Sequence, residues 1–205
     1  LSYEGEPCWY PVGGIEVAAT EARRQDLLRR HGLEKTAVVD VARALGVSHG
    51  SIYRHVKSKA ELIDAVAERW LASVSLPLEA IAAGQKAPPA RVRQWFEALV
   101  QAKRRKILED PELFGAYHAV AEAAHRVVAE HVAHLRRQLA RILADGAARG
   151  DFQLRSPELA AAALFDATLR FHHPAFVAAN ATPEADRALK ALLDLLLAGL
   201  KAGAL

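Results

Sequence analysis

The chain has 205 residues, 52% hydrophobic and 25% charged, with a mean hydropathy of +0.02, which suits one or two globular domains and excludes a disordered chain. Its 27 Lys and Arg against 24 Asp and Glu leave a formal charge of +3, with nine His and a pI near 9.1, too mild a balance to point to nucleic acid unaided. The longest leucine-rich run, Ala191 to Leu200, is broken by Asp194 and falls short of the roughly 20 apolar residues of a membrane span, and the single Cys8 cannot form an internal disulfide, so a cytoplasmic chain without membrane contact is expected.

Residues 1–14 hold Gly5, Pro7, Pro11, Gly13 and Gly14 beside Cys8, Trp9 and Tyr10, which reads as an irregular lead-in. No Met occurs, even at position 1, as if the start were trimmed or a start codon were written as Leu. From Ile15 onward Ala, Leu, Arg and Glu dominate, the residues that lose least on entering a helix. Breakers divide the helices: Gly32 closes a first, Gly46 a second, Pro77 and Gly84 follow a fourth, and Pro88 with Pro89 starts a fifth. Gly115, Gly146 with Gly150, Pro157, Pro174 and Pro183 punctuate the rest.

The segment from Thr36 to Leu62 reads TAVVDVARALGVSHGSIYRHVKSKAEL. Thr36 can cap a helix carrying Val38, Val41, Ala42 and Leu45, Gly46 ends it, and Ser48 caps a second helix two residues later. Two short helices joined by so tight a turn make a helix-turn-helix, with Leu45, Val47, Ile52 and Val56 between them. Left outward are His49, Gly50, Ser51, Tyr53, Arg54 and His55, short or flat donors and acceptors with no carboxylate among them. Such a face can enter a major groove, with His49, Gly50 and Ser51 toward base edges and Tyr53 and His55 toward phosphates. Lys57 and Lys59 follow at the next helix start, while Glu61, Asp64 and Glu68 begin only beyond them. An ordinary solvated helix pair with a glycine cap has the same local pattern.

This run resembles the DNA-binding domain of TetR-family transcriptional regulators, in the glycine turn, the Tyr53-Arg54-His55-Val56 stretch and Lys59 before an acidic, leucine-bearing helix, from about Leu27 to Leu71. The resemblance implies an all-α fold: residues 15–75 as the helix-turn-helix domain and 76–205 as a helical regulatory, ligand-binding and dimerisation domain. It also implies a homodimeric repressor on a pseudo-palindromic double-stranded operator, released by a small-molecule inducer. By position, Thr36 matches a cap and phosphate contact, His49, Gly50 and Ser51 base-proximal sites, and Tyr53, His55 and Lys59 phosphate anchors, with Ser48, Arg54 and Lys57 on the same surface. Ala37 departs from the hydroxyl often found there, and Thr20, Glu21, Arg23 and Arg24 stand where the family's first helix has apolar residues.

In the carboxyl-terminal half, Val92, Trp95, Phe96, Leu99, Ala102 and Ile107 form an amphipathic stripe with Arg91, Arg93, Gln94, Glu97 and Lys103 between them. Val128, Val132, Leu135, Leu139 and Ile142 form another, bounded by Asp145 and Gly146. Two long helices, about Pro157 to His173 and Pro183 to Ala202, resemble the family's dimer-forming pair. The last carries leucines on more than one face, which suits either the heart of a bundle or a second subunit. Trp95, Phe96, Tyr117, His118, Glu122, Phe165, Phe171 and His172 supply the aromatic area and polar tips of a ligand pocket, though each aromatic alone equally fills a core.

His118, Glu122 and His125 fall at helical spacings of four and three, with His131 and His134 further along, which opens a metal-sensing regulator or a metal-dependent helical enzyme as alternatives. No second Glu-x-x-His, zinc motif, serine nucleophile, phosphate loop or cysteine pair accompanies them. The expectation is therefore a regulator and not an enzyme, without a metal or other cofactor.

Overall fold

The computed structural model describes residues 59–109 and 125–203. These form seven helices: α1 Lys59–Ala82, α2 Pro88–Glu109, α3 His125–Ala148, α4 Pro157–Ala167, α5 Leu169–His172, α6 Pro174–Val177 and α7 Pro183–Lys201, with no strand among the described residues. Helices α1, α2 and α3 pack pairwise, α4 lies on α3, and the short α5 and α6 sit against α2. One apolar core runs through all the long helices, centred on Trp95, Phe96, Leu139, Ile142 and Leu164.

Helix α1 does not stop at Pro77 as the sequence suggests but continues through it to Ala82. Proline removes the amide that would bond the carbonyl of Ser73, four residues back, and both Pro77 and Ser73 lie on the exposed face, where water can take that acceptor. The opposite face carries Ala67, Leu71, Val74, Leu78 and Ala82, buried at spacings of three and four, so packing holds the helix together through the proline. Its end is then tied down by Arg91 of α2. The guanidinium donates to the carbonyls of Ile81 (3.3 Å) and Ala82 and pairs with Asp145 of α3, joining three helices at one buried cation.

On α2 the stripe of Val92, Trp95, Phe96, Leu99 and Ala102 is the buried face. Arg91 and Lys103, read as polar-face residues, are buried too. Lys103 stands four residues after Leu99 and seven after Phe96, so helical geometry puts it on the same face. On α3 the buried row is Val127, His131, Leu135, Gln138, Leu139 and Ile142, while Val128 and Val132 are only half-buried. The amino-terminal half of the stripe is thus turned by one residue, because Val127 packs onto Ala67 and Leu71 of α1.

Helix α3 also passes through Gly146 and ends at Ala148, with Gly150 two residues on at positive φ (79°). Gly146 serves close packing: the amides of Asp151 and Phe152 return to its carbonyl at 2.8 and 3.2 Å, and the Phe152 ring lies where a Cβ would stand.

The expected long helix from Pro157 to His173 is two pieces, α4 and α5, with the short α6 following from Pro174. It starts on Ser156, whose Oγ accepts from the amide of Leu159 (3.2 Å). It breaks at the fully buried Thr168, whose hydroxyl donates back to the Leu164 carbonyl at 2.8 Å. Helix α7 is capped by Thr182 and buries the single row Ala185, Leu189, Leu193, Leu197 and Leu200. Leu192 and Leu196 are half-buried, whereas Leu195 of α7 and Leu159 of α4 stand 71% and 61% exposed. Among the described residues, no helix is long and apolar enough to cross a membrane.

Candidate ligand site and DNA-binding segment

Thr36, Ser48, His49, Gly50, Ser51, Tyr53, Arg54, His55 and Lys57 lie outside the described residues, as do Tyr117, His118 and Glu122. Lys59 is the first residue of α1. Trp95, Phe96, Phe165, Phe171 and His172 all fall within the buried core, and four of them meet through one another's rings. Trp95 stands edge-on to Phe96 at 5.1 Å, and the His172 ring lies 4.5 Å from Phe165 and 6.4 Å from Phe96. Phe171 lies apart from that stack, beneath the Arg170 guanidinium at 4.9 Å.

The polar tips of this core are largely satisfied. Trp95 Nε1 donates to Gln138 Oε1 at 3.0 Å, and Gln138 Nε2 donates to the Ser75 carbonyl at 3.1 Å and to His134 Nε2 at 3.0 Å. His172 Nε2 donates to the Phe165 carbonyl and lies the same 3.2 Å from Thr168 Oγ1. Burial pushes the His172 imidazole down to about 4, although the bond to Phe165 opposes the fall, so this ring is neutral and spoken for at physiological pH.

Two neighbours are not satisfied in this way. His131 of α3 is 9% exposed, and its Nε2 has no hydrogen-bond partner. Burial pushes its imidazole down to about 3, with the nearby Lys103 charge and His134 adding to the fall. Lys103 of α2 is 7% exposed, with its Nζ 5.3 Å above the ring of Trp70. Desolvation lowers its ammonium to about 8, which leaves it cationic at neutral pH, and no carboxylate pairs with it among the described residues. By contrast Arg104, the next residue, is compensated by Asp186 (2.6 Å) and the Asn180 carbonyl (2.6 Å). The Lys103 charge acts on both His131 and His172, so the buried region shared by α2, α3 and α5 is electropositive. Sequence reasoning set Lys103 aside as a polar-face residue, although its spacing from Phe96 and Leu99 carried the signal.

The sequence alternative of a metal set at His118, Glu122 and His125 finds no support. His125 is exposed at the start of α3, and no group of three or more His, Cys, Asp or Glu gathers among the described residues.

The described helices pack around one shared apolar core, and the comparisons with known proteins specify the class to which they belong. Residues 25–66 match the family model described as bacterial regulatory proteins, tetR family, and residues 88–193 match the tetracyclin repressor-like C-terminal domain. The chain belongs to the TetR family. It is a DNA-binding regulator and not an enzyme, all-α, with an amino-terminal helix-turn-helix domain followed by a helical domain.

Solved structures share the fold. The TetR family transcriptional regulator PfmR from Thermus thermophilus is 24% identical, covering 85% of this chain and 94% of its own, with a TM-score of 0.53. A transcriptional regulator of the TetR/AcrR family from Thermobifida fusca is also 24% identical, over 90% of this chain and 97% of its own, with a TM-score of 0.52. A protein of unknown function from a Rhodococcus species gives 24%, 96% and 100%, with a TM-score of 0.53. No curated protein matches.

Proposed function

We propose that the chain is a homodimeric, ligand-released repressor. The observation that carries this is the pair of buried polar groups Lys103 and His131: among the described residues no carboxylate pairs with the Lys103 ammonium, which rests over the Trp70 ring, and His131 Nε2 has no hydrogen-bond partner, in a chain whose family regulates transcription. A buried polar group left unpaired costs stability, and a ligand that pairs it returns that cost as binding energy.

In this reading Thr36, Ser48, Tyr53, Arg54, His55, Lys57 and Lys59 hold operator phosphates, and His49, Gly50 and Ser51 approach base edges. Dimerisation uses α4 and α7, where Leu159 and Leu195 stand out into solvent beside the half-buried Leu192 and Leu196. Helix α1 supplies the coupling. It begins within the segment matching the DNA-binding family model and ends in the core of the helical domain, so the domain boundary expected at residue 75 falls inside one continuous helix. Trp70 on α1 lies under Lys103 and packs against both apolar clusters. A ligand entering beside Lys103 bears on Trp70 and tilts α1, moving the two recognition helices away from half-sites about 34–36 Å apart.

Footprinting of the purified full chain on the DNA upstream of its own gene tests the reading. A protected pseudo-palindrome at low salt is expected, and its absence would leave a helical ligand-binding dimer without an operator.

A further inference from the structure

We propose that the ligand of the helical domain carries an anionic head, a carboxylate or another oxyanion, seated against the Lys103 ammonium with His131 Nε2 as a second donor. This rests on the ligand-binding reading above and adds the chemical class of the ligand.

The geometry narrows the class by charge. Of the three cations buried on α2 among the described residues, two are compensated within the fold: Arg91 by Asp145 and the end of α1, and Arg104 by Asp186 and the Asn180 carbonyl. Lys103 differs. Among the described residues, the groups facing it are the Trp70 ring of α1, the His131 imidazole of α3, with His134 adjoining His131 on the same helix, and the His172 imidazole of α5 in the aromatic stack. None of them is an anion. A neutral ligand would leave the ammonium as costly as it is now, and a cationic one would raise the cost. An anion relieves it, because the pair forms where water is scarce and the attraction is little screened.

The second donor follows from tautomerism. His131 stays neutral beside Lys103, so its ring carries one proton that can sit on the unpartnered Nε2 and be donated to a ligand oxygen. One cation and one neutral donor match a monoanion. The surroundings are apolar and aromatic, with Trp70 below and Leu99 and Phe96 one and two turns away on α2, which fits an apolar body attached to that head.

Two dyes that differ only in a sulfonate give the test: 1-anilinonaphthalene-8-sulfonate and the neutral N-phenyl-1-naphthylamine, each titrated by fluorescence into the purified 205-residue chain at pH 7. The sulfonate dye binds the native chain about tenfold to a hundredfold more tightly, the scale of one hydrogen bond to a charged partner. Lys103→Met, which keeps the stem and removes the charge, abolishes that preference while the neutral dye changes by less than about twofold, and Lys103→Arg retains it. If Lys103→Met does not fold, the native chain decides: the preference declines between pH 7 and pH 11 as the ammonium loses its proton, with the neutral dye unaffected. An unchanged ratio of the two affinities in Lys103→Met, or across that pH range, overturns the anion site while leaving a pocket in place. Binding of neither dye to the native chain removes the pocket reading, and the anion site with it.

Discussion

Lys103 gives a stability prediction that can be worked through in numbers. In the fold its ammonium loses protons near pH 8 instead of the ordinary 10.5, because burial strips its water. At about 1.4 kcal/mol for each tenfold loss of proton affinity, the charged form costs the native state about 3 kcal/mol. Between pH 8 and 10.5 the unfolded chain holds the proton and the folded chain does not, so stability from this group rises with pH across that window and is lowest below it. Lys103→Met removes the penalty. At pH 7 and one fixed protein concentration the variant is therefore more stable than the native chain by up to about 3 kcal/mol, a lower figure following if the methionine stem packs imperfectly. Urea unfolding of both proteins at pH 7, 8, 9 and 10 reads this directly. The difference between them shrinks as the pH rises, and other groups titrating in that range cancel because both proteins share them. A difference that stays constant with pH, or a variant less stable than the native chain at pH 7, would refute a buried cation that lacks a counter-charge.

Other consequences follow from the same packing. His131 and His172 are held near 3 and 4 against an ordinary 6.5, so as pH falls below 6.5 the unfolded chain takes protons first and stability drops, by about 2 kcal/mol for each at pH 5; a His172→Phe variant loses correspondingly less in acid unfolding. Gly146→Ala places a Cβ 2.5 Å from Phe152 Cε2 and 3.1 Å from Pro88 Cβ, so both a buried ring and the start of α2 must yield. Thermal unfolding then shows a loss of about 1–3 kcal/mol despite the better helix propensity of alanine, and Gly146→Ala with Phe152→Leu recovers part of it. Leu195→Glu with Leu159→Glu shifts sedimentation from dimer to monomer without loss of helicity if α4 and α7 form the subunit interface; an unchanged dimer excludes that face. Tyr53→Phe weakens binding to operator and scrambled DNA alike, whereas Ser51→Ala alters base preference, measured by gel shift on both sequences.

The helical class and the core row of α2 are legible in the sequence because they rest on local spacing, whereas on α7 leucines on several faces hide the single row that is buried. Proline and glycine are less informative alone. Pro77 stays inside α1 because its missing donor faces water while Leu78 and Ala82 hold the other side, and Gly146 stays inside α3 because Phe152, six residues later, folds back onto it. The break at Thr168 depends on a buried hydroxyl bonding back to Leu164, which period analysis does not register. The candidate site was half legible. Its aromatics stand out by composition, but Lys103 and Arg91 carry charges that ordinarily signal a solvated face, and only the partners brought by α1 and α3 separate Arg91, paired with Asp145, from Lys103, which no described carboxylate compensates. The Val128 and Val132 stripe failed for a related reason: which of two adjacent rows faces inward is decided by Ala67 and Leu71, on another helix.

The claim that the chain represses transcription from its own operator is tested most directly in a reporter strain carrying the DNA upstream of its gene fused to a fluorescent protein. Expression of the native chain is expected to lower the signal at least about tenfold, and a Ser51→Ala, Tyr53→Ala double variant of equal abundance leaves it near the level without regulator. A native chain that leaves the reporter unchanged, or raises it, contradicts the account.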